Sequence, residues 1–258
     1  MRRATEWFHH DPESILDIGC NVGAGLLEFR RHFPAARLAG IDISRSALEI
    51  ARSRLTDAEI REAGAERIPF ADESFDFATC IEVLEHVPAA LRRAAFREAR
   101  RVLRPGGRLI LTTPHAGWFA WLDSNNVRFR LPFLYNALIR RGLRDATYEG
   151  KSRVVEWHQH FRVGELLDLA GPDWDVIAVE YGGLFLCPAA DWLSWPFYRL
   201  GKPDHPVRRV LERISVWDHG IDYGKASYHI VVVLGRPGGA GDRNNRHQTE
   251  RLHTSCAV

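Results

Sequence analysis

The pattern of apolar and polar positions predicts strands and helices in turn, beginning with a strand, a tight loop and a helix. The run Ser14-Ile15-Leu16-Asp17-Ile18 passes through Gly19, Gly23 and Gly25 into Leu26, Leu27, Phe29 and Phe33, which repeat with helical spacing. A second apolar stretch, Leu38-Ala39-Gly40-Ile41, ends at Asp42. Ser44 suits the N-cap of a helix whose Ala47, Leu48, Ile50 and Ala51 share one buried face. Pro88 fits the first turn of a longer helix that carries Leu91, Ala94, Ala95, Phe96, Ala99 and Val102 inward, and Pro105-Gly106-Gly107 stops it before a strand at Leu109 to Thr112. Helical spacing returns at Val163 to Ala170, followed by a strand at Asp175 to Tyr181 and an apolar alternation at Tyr228 to Leu234.

Two stretches fall outside this alternation. About 45 residues, from His115 to Gln159, precede the helix at Val163, and structureless loops of that length are rare, so the segment is read as an inserted, mostly helical cap. A second insertion runs from 182 to 225. With 258 residues, 45% of them hydrophobic and 26% charged, the chain can bury one sizeable core. One catalytic domain at 1–235, with cap insertions at 115–159 and 182–225, is the expected organisation. The tail at 236–258 lacks apolar periodicity and is expected to be disordered.

A formal charge of +2 is too small to imply a nucleic-acid partner. The four cysteines, at positions 20, 80, 187 and 256, show neither metal-binding spacing nor the density of a secreted disulfide framework, which points to a reduced, cytoplasmic compartment. Met1-Arg2-Arg3 is followed by Glu6, His9, His10 and Asp11 rather than an apolar run, and no stretch approaches ~20 apolar residues. A soluble or peripheral protein without a signal peptide is expected.

Closely spaced glycines let the backbone take positive φ and approach a ligand, and the first free N–H groups of the following helix point into the same space. A nucleotide-like ligand belongs there, with Asp42, about 20 residues further on, placed to bind a ribose. The dinucleotide fingerprint G-x-G-x-x-G is not met, because Asn21 stands two residues after Gly19 and Gly23-Ala24-Gly25 is followed by Leu26-Leu27-Glu28. Asn21 is compatible with a left-handed backbone and keeps the loop intact.

These residues resemble the class I S-adenosylmethionine-dependent methyltransferases, whose first motif reads approximately L-D-x-G-C-G-x-G and whose second strand ends in an acidic residue. The segment Ala63-Gly64-Ala65-Glu66-Arg67-Ile68-Pro69-Phe70 is similar to the family's G-D-A-E-x-L-P-F, whose aspartate usually bonds the adenine amino group. Gly64 stands in its place; the Ala65 N–H remains for the ring, and Glu66 or Asp72 is left to substitute. Ser74 to Val87 resembles F-D-x-V-x-x-x-x-V-L-E-H-V, the family's fourth strand and the loop beyond it, and Arg101 to Gly107 resembles its R-x-L-K-P-G-G turn. The resemblance covers residues 14–114 well, 160–181 and 226–235 loosely, and the insertions hardly at all.

The resemblance implies an α/β, doubly wound, Rossmann-like sheet of seven strands in the order 3-2-1-4-5-7-6, with S-adenosylmethionine as cofactor. Its implied binding residues are Asp17, Gly19, Cys20, Asn21, Gly23, Asp42, Ile43, Ala65, Glu66 and Glu82. Asp17 also reads as a plain brace of the glycine loop. Many members carry a longer N-terminal helical region that helps close the site; residues 1–13 are short by comparison, so a lid is expected elsewhere.

Methyl transfer from a sulfonium is an in-line displacement in which alignment and exclusion of water supply much of the acceleration. A general base is needed only if the acceptor carries a proton at pH 7, and histidine is the natural choice. His86, His115, His158 and His160 are the candidates. His86 and His115 directly follow strands four and five, whose carboxyl ends form the ligand crevice of a doubly wound sheet, so these two are the expected catalytic residues. Each also reads as a loop brace. His158 and His160 share a face only if Trp157 to Phe161 is extended, and spacing identifies no third ligand, so no metal is expected.

The insertions interleave aromatic residues with arginines, and seven of the eight tryptophans lie between 118 and 217. Such a mixture suits an apolar or lipid-linked small-molecule acceptor, with O-methylation favoured, or contact with a membrane surface; it equally suits a cap core in which the two insertions bury one another. Two other classes share parts of the pattern. A nicotinamide-dependent oxidoreductase has the same strand, loop, helix and acid but other glycine spacing, and a catalytically silent methyltransferase-like scaffold would explain Gly64.

Overall fold

The computed structural model of the protein describes residues 7–8, 11–123, 126, 130, 133, 158–199 and 205–238. Of the tail expected to be disordered, 236–258, residues 239–258 lie outside the described residues, as does most of the expected cap helix within 124–157, while Arg236 pairs with Gly106 and Gly107. Among those described, the elements are β1 (Ser14–Ile18), α1 (Ala24–His32), β2 (Arg37–Asp42), α2 (Arg45–Arg54), β3 (Glu59–Glu62), β4 (Phe75–Ile81), α3 (Ala89–Val102), β5 (Leu103–Pro114), α4 (Val163–Ala170), β6 (Asp175–Gly182), α5 (Leu186–Arg199), α6 (Pro206–His219) and β7 (His229–Gly235). The strands form one sheet in the order β3-β2-β1-β4-β5-β7-β6, the order that the resemblance implies.

β1 pairs in parallel with β2 and β4, β2 with β3, and β4 with β5. β7 reverses direction, since Gly106 donates to the Arg236 carbonyl at one end of β5 and His115 to the Tyr228 carbonyl at the other. All five residues of β1 are buried, as a central parallel strand covered on both faces requires. Leu26 and Phe29 of α1 and Leu48 and Ala51 of α2 join Ile15, Leu38 and Ile60 in one apolar cluster.

Three expectations need correction. Ile50 and Leu91 are exposed, because each falls off the stripe that its helix turns inward. In α3 that stripe contains Arg92, whose Nε donates to the Val87 carbonyl at 2.8 Å while its side chain is buried. Pro105-Gly106-Gly107 does not separate helix from strand: β5 begins at Leu103 directly after α3, and the three residues form an irregularity between the pairs Phe75–Leu103 and Phe77–Arg108.

The described residues fall into two compact units, the first drawn from 1–112, 163–179 and 231–258 and the second from 113–162 and 180–230. In the second, α5 packs on α6, and the buried Asp218 carboxylate accepts from the Leu184 N–H at 2.9 Å and the Tyr223 hydroxyl at 3.2 Å. No described helix is long and apolar enough to cross a membrane.

Candidate functional site

The pairing registers align the carboxyl ends of β1, β2 and β4, so that Asp17 lies between Gly40 and Thr79 and Ile18 between Ile41 and Cys80. The loop after β1 folds onto this edge. Gly19 and Cys20 both donate to the Ile41 carbonyl, at 2.8 and 2.9 Å, and the Gly23 N–H closes a turn on the Cys20 carbonyl at 2.9 Å. Gly19 has φ +78°, and a Cβ there would lie 2.2 Å from Cγ2 of Val83. Glycine at this position is therefore required by the side chain on the β4 loop as well as by conformation. Gly23 precedes α1 in the left-handed region, and helix geometry leaves the first N–H groups of α1 without intrahelical acceptors. The Cys20 side chain turns into the apolar cluster, and burial pushes its thiol well above the ordinary range. Only its backbone belongs to the loop.

Asn21, at φ +47°, and Glu82, at φ +53°, hold left-handed conformations uncommon for non-glycine residues. Both occur where strands end at this edge, the kind of place where strain persists because the surroundings impose it. The Asn21 N–H donates to Asp42 Oδ2 at 2.9 Å, and the Ser44 N–H to Oδ1 at 2.8 Å. Asp42 is thus held by two backbone groups, with a lone pair left on each oxygen. Beside it Ile43, 67% exposed, presents an apolar face to solvent. The Ala63 N–H bonds the Asp42 carbonyl at 3.0 Å and draws the following turn against the end of β2.

In that turn the glycine replacing an aspartate has a local explanation. A Cβ built on Gly64 would lie 2.3 Å from Oε2 and 2.4 Å from Oε1 of Glu66. The Glu66 carboxylate occupies the space into which a side chain at 64 would start. Asp72, the other sequence candidate, is committed elsewhere, paired with Arg101 at 2.7 Å. The same guanidinium donates to the Ile68 and Phe70 carbonyls, each at 2.8 Å, and to both oxygens of Glu98, so it holds the turn in place from α3.

Asp17 is buried at the centre of the edge, and Thr79 donates to its Oδ1 at 2.8 Å. Burial pushes its carboxyl up to about 7, the Thr79 bond opposes this, and the negative charge of Asp42 adds to it. It does not serve as the brace of the glycine loop: Thr79 is its hydrogen-bond partner among the described residues. A cation brought beside such a group would draw off its proton. Glu82 accepts from the Thr112 hydroxyl at 2.9 Å, so carboxylates stand at the ends of β1, β2 and β4. An acid-lined edge suits a cationic ligand and repels a pyrophosphate.

Of the two expected catalytic histidines, His86 sits on the one-turn 3-10 helix Leu84–His86, its side chain 52% exposed and its Nε2 3.9 Å from the buried Glu85 carboxylate. His115 belongs to the second unit. It is buried, bonded through Nδ1 to the Ser227 carbonyl at 2.9 Å and set edge-on against Tyr181. Since a carbonyl only accepts, that nitrogen carries the proton, which is the geometry of a brace. Thr79, Val83, Ser44 and Arg101 were not legible as site residues. Thr79 alone carries a mark, a polar residue in the apolar run Phe77 to Ile81.

A family profile described as a methyltransferase domain matches residues 16–111. A ubiquinone biosynthesis O-methyltransferase from Alkalilimnicola ehrlichii is 36% identical over 127 residues, 46% of this chain and 50% of that protein, so the chain spans about half the length of this relative. The uncharacterized methyltransferase YcgJ of Bacillus subtilis is 30% identical over 223 residues, 84% of this chain and 76% of that one. A SAM-dependent methyltransferase from Methanosarcina mazei shares the fold with a TM-score of 0.57 at 21% identity, over 92% of this chain and 98% of that chain. With the sheet order, the glycine loop and the acidic edge in place, the chain belongs to the class I S-adenosylmethionine-dependent methyltransferases.

Proposed function

We propose that the protein transfers a methyl group from S-adenosylmethionine to a hydroxyl of a small, bulky, apolar or lipid-linked acceptor. The observation that carries the cofactor half is the Glu66 carboxylate lying where a side chain on Gly64 would start: it restores an acceptor for the adenine amino group, next to the Ala65 N–H for a ring nitrogen. Asp42 has lone pairs for the ribose hydroxyls, and Ile43 offers the purine an apolar face. Asp17 and Glu82 supply negative charge for the cationic amino-acid end. When bound, the cofactor supplies a methyl group already activated by the sulfonium.

The acceptor half rests on the second unit and on one relative's name. Trp118, 75% exposed, and Trp217, 62% exposed, do not form a cap core, whereas Phe119 and Phe185 do meet, edge to face at 5.3 Å. Exposed aromatic surface favours a greasy acceptor and contact with a membrane surface over a nucleic acid, and the relative from Alkalilimnicola ehrlichii is named for ubiquinone biosynthesis. The described free cysteines, Cys20 and Cys80, are buried, in keeping with a reduced, cytoplasmic setting.

A hydroxyl acceptor must lose a proton, and we assign that role to His86, which is half-exposed with the Glu85 carboxylate 3.9 Å from its Nε2, beside the imidazolium that would form. Calorimetric titration with S-adenosylmethionine, S-adenosylhomocysteine and NADH tests the cofactor; binding of NADH alone rejects the reading. Methyl transfer to a panel of alkylated and polyprenylated phenols tests the acceptor. His86→Ala should lower turnover by ~10² to 10⁴ with cofactor affinity nearly intact. A pH–rate profile flat between about 5 and 9 would remove histidine as the base.

A further inference from the structure

We propose that Asp123, His158 and His160 form a binding site for one zinc-class divalent metal ion in the second unit. The rings of His158 and His160 lie 5.9 Å apart, edge-on at 84° to one another. They lead into Phe161, fixed by the pairing of its N–H with the Pro114 carbonyl and of its carbonyl with the Ala116 N–H, both at 2.9 Å. The third ligand, which spacing could not identify, comes from 35 residues earlier in the chain. Asp123 follows the one-turn 3-10 helix Ala120–Leu122. Its Oδ2 lies 2.5 Å from Nδ1 of His158 and 3.5 Å from Nε2 of His160, and one donor atom from each residue falls within 4.8 Å of the others. A tetrahedral ion with bonds of about 2.0–2.1 Å holds its ligand atoms about 3.3 Å apart, near the separation from His160, whereas the shorter contact with His158 is a hydrogen bond whose proton the ion would displace.

Three features separate this cluster from an ordinary buried ion pair. The His160 side chain is only 7% exposed, yet its Nε2, 3.5 Å from the Asp123 carboxylate, has no hydrogen-bond partner among the described residues. Asn126, wholly buried, orients both other ligands: its Oδ1 accepts the His158 N–H at 2.9 Å, and its Nδ2 donates to the His158 carbonyl at 2.8 Å and to Asp123 Oδ2 at 3.3 Å. Such outer contacts are the usual support of a metal site. Two imidazoles and one carboxylate, with a fourth position left to water, match the donor set of open zinc sites.

The test uses the full chain, stripped with a chelator and titrated with Zn²⁺ against a chromophoric indicator, with Co²⁺ followed by visible absorption. One Zn²⁺ should bind per chain, and Co²⁺ should give the intense bands of four-coordination. Asp123→Asn and His160→Gln, their folding checked by near-ultraviolet circular dichroism, should weaken binding by ~10²-fold or more, and Asn126→Ala by ~10- to 100-fold. His32→Ala, on the surface of α1, should leave it unchanged. X-ray absorption on the wild-type zinc adduct should show two imidazoles and needs no variant. Equal zinc affinity in wild type, Asp123→Asn and His160→Gln would place the ion on other histidines and overturn the proposal, as would an adduct without imidazole scattering, preference for Mg²⁺, or no stoichiometric binding.

Discussion

At the scale of single residues, the adenine end of the site turns on which atom fills a small volume. Where the family pattern that the chain resembles has an aspartate, this chain has Gly64 and a Glu66 carboxylate folded over it, bonded to no other described group. Glu66→Gln should therefore leave thermal stability unchanged while weakening S-adenosylhomocysteine binding by ~10- to 100-fold, the loss of a charge-assisted bond of about 1.5–3 kcal/mol. Adding Gly64→Asp to a Glu66→Ala background should recover most of that affinity, because the carboxylate returns to the same space from the other anchor. Calorimetry of the three variants decides; full affinity in Glu66→Gln would leave recognition to the Ala65 N–H. Asp42, Glu66 and the glycine loop were legible because residue type and spacing carry their chemistry. Val83 was not: an apolar residue in an apolar run bears no mark of the glycine it covers, and only the fold brings the two together.

At the scale of elements, the amino end of the β1–β4 pair is tied as firmly as the carboxyl end is shaped for ligand. Asp76, in β4, accepts from the Glu13 and Ser14 N–H groups at 3.0 and 2.9 Å, the Ser14 hydroxyl at 3.0 Å and the Arg104 guanidinium at 2.6 Å. Burial alone would raise its pKa, but the Arg104 and Ser14 bonds outweigh burial and hold it below the ordinary carboxylate range. With the folded value depressed, the stability it contributes is fully present above the unfolded value of about 3.9 and is lost as pH falls through the folded one. Asp76→Asn should then cost about 1.5–3 kcal/mol in urea unfolding at pH 7, and the gap to wild type should narrow steadily below about pH 4. A gap unchanged by acid would mean that the carboxylate's charge is irrelevant to the clamp. Element identity was readable wherever period and burial coincide, as in α4, whose Val163 to Ala170 bounds match the expectation. It failed where a long side chain rescued a polar position, as Arg92 does in α3, and where a turn signal fell inside a strand, because glycines of a P-G-G segment also permit the irregularity seen in β5.

At the scale of the whole molecule, the chain divides into a unit whose sequence follows a family pattern and a unit whose sequence does not. The first was legible because its strands, loops and acids repeat a shared arrangement; the second offered composition alone. What composition could not decide was whether its aromatic residues face each other or solvent. On α6 the apolar positions Val207, Val210, Ile214 and Trp217 are all exposed and recur at helical spacing, and Arg209 and Arg213 are exposed on the same helix. Apolar and cationic groups together on an exposed amphipathic helix favour the interface of an anionic membrane, where buried area and charge both contribute. Flotation with liposomes containing anionic lipid should therefore carry the protein upward, neutral liposomes should carry much less, and salt at about 1 M, where the screening length is near 3 Å, should release most of it. Ile214→Glu places a charge in the stripe without touching the first unit, and should lower the bound fraction at least tenfold while S-adenosylhomocysteine affinity stays as in wild type. Equal flotation of Ile214→Glu and wild type would clear α6 of any such role. No flotation at all, combined with a tryptophan-fluorescence response to polyprenylated phenols, would assign the exposed aromatic residues to the acceptor instead.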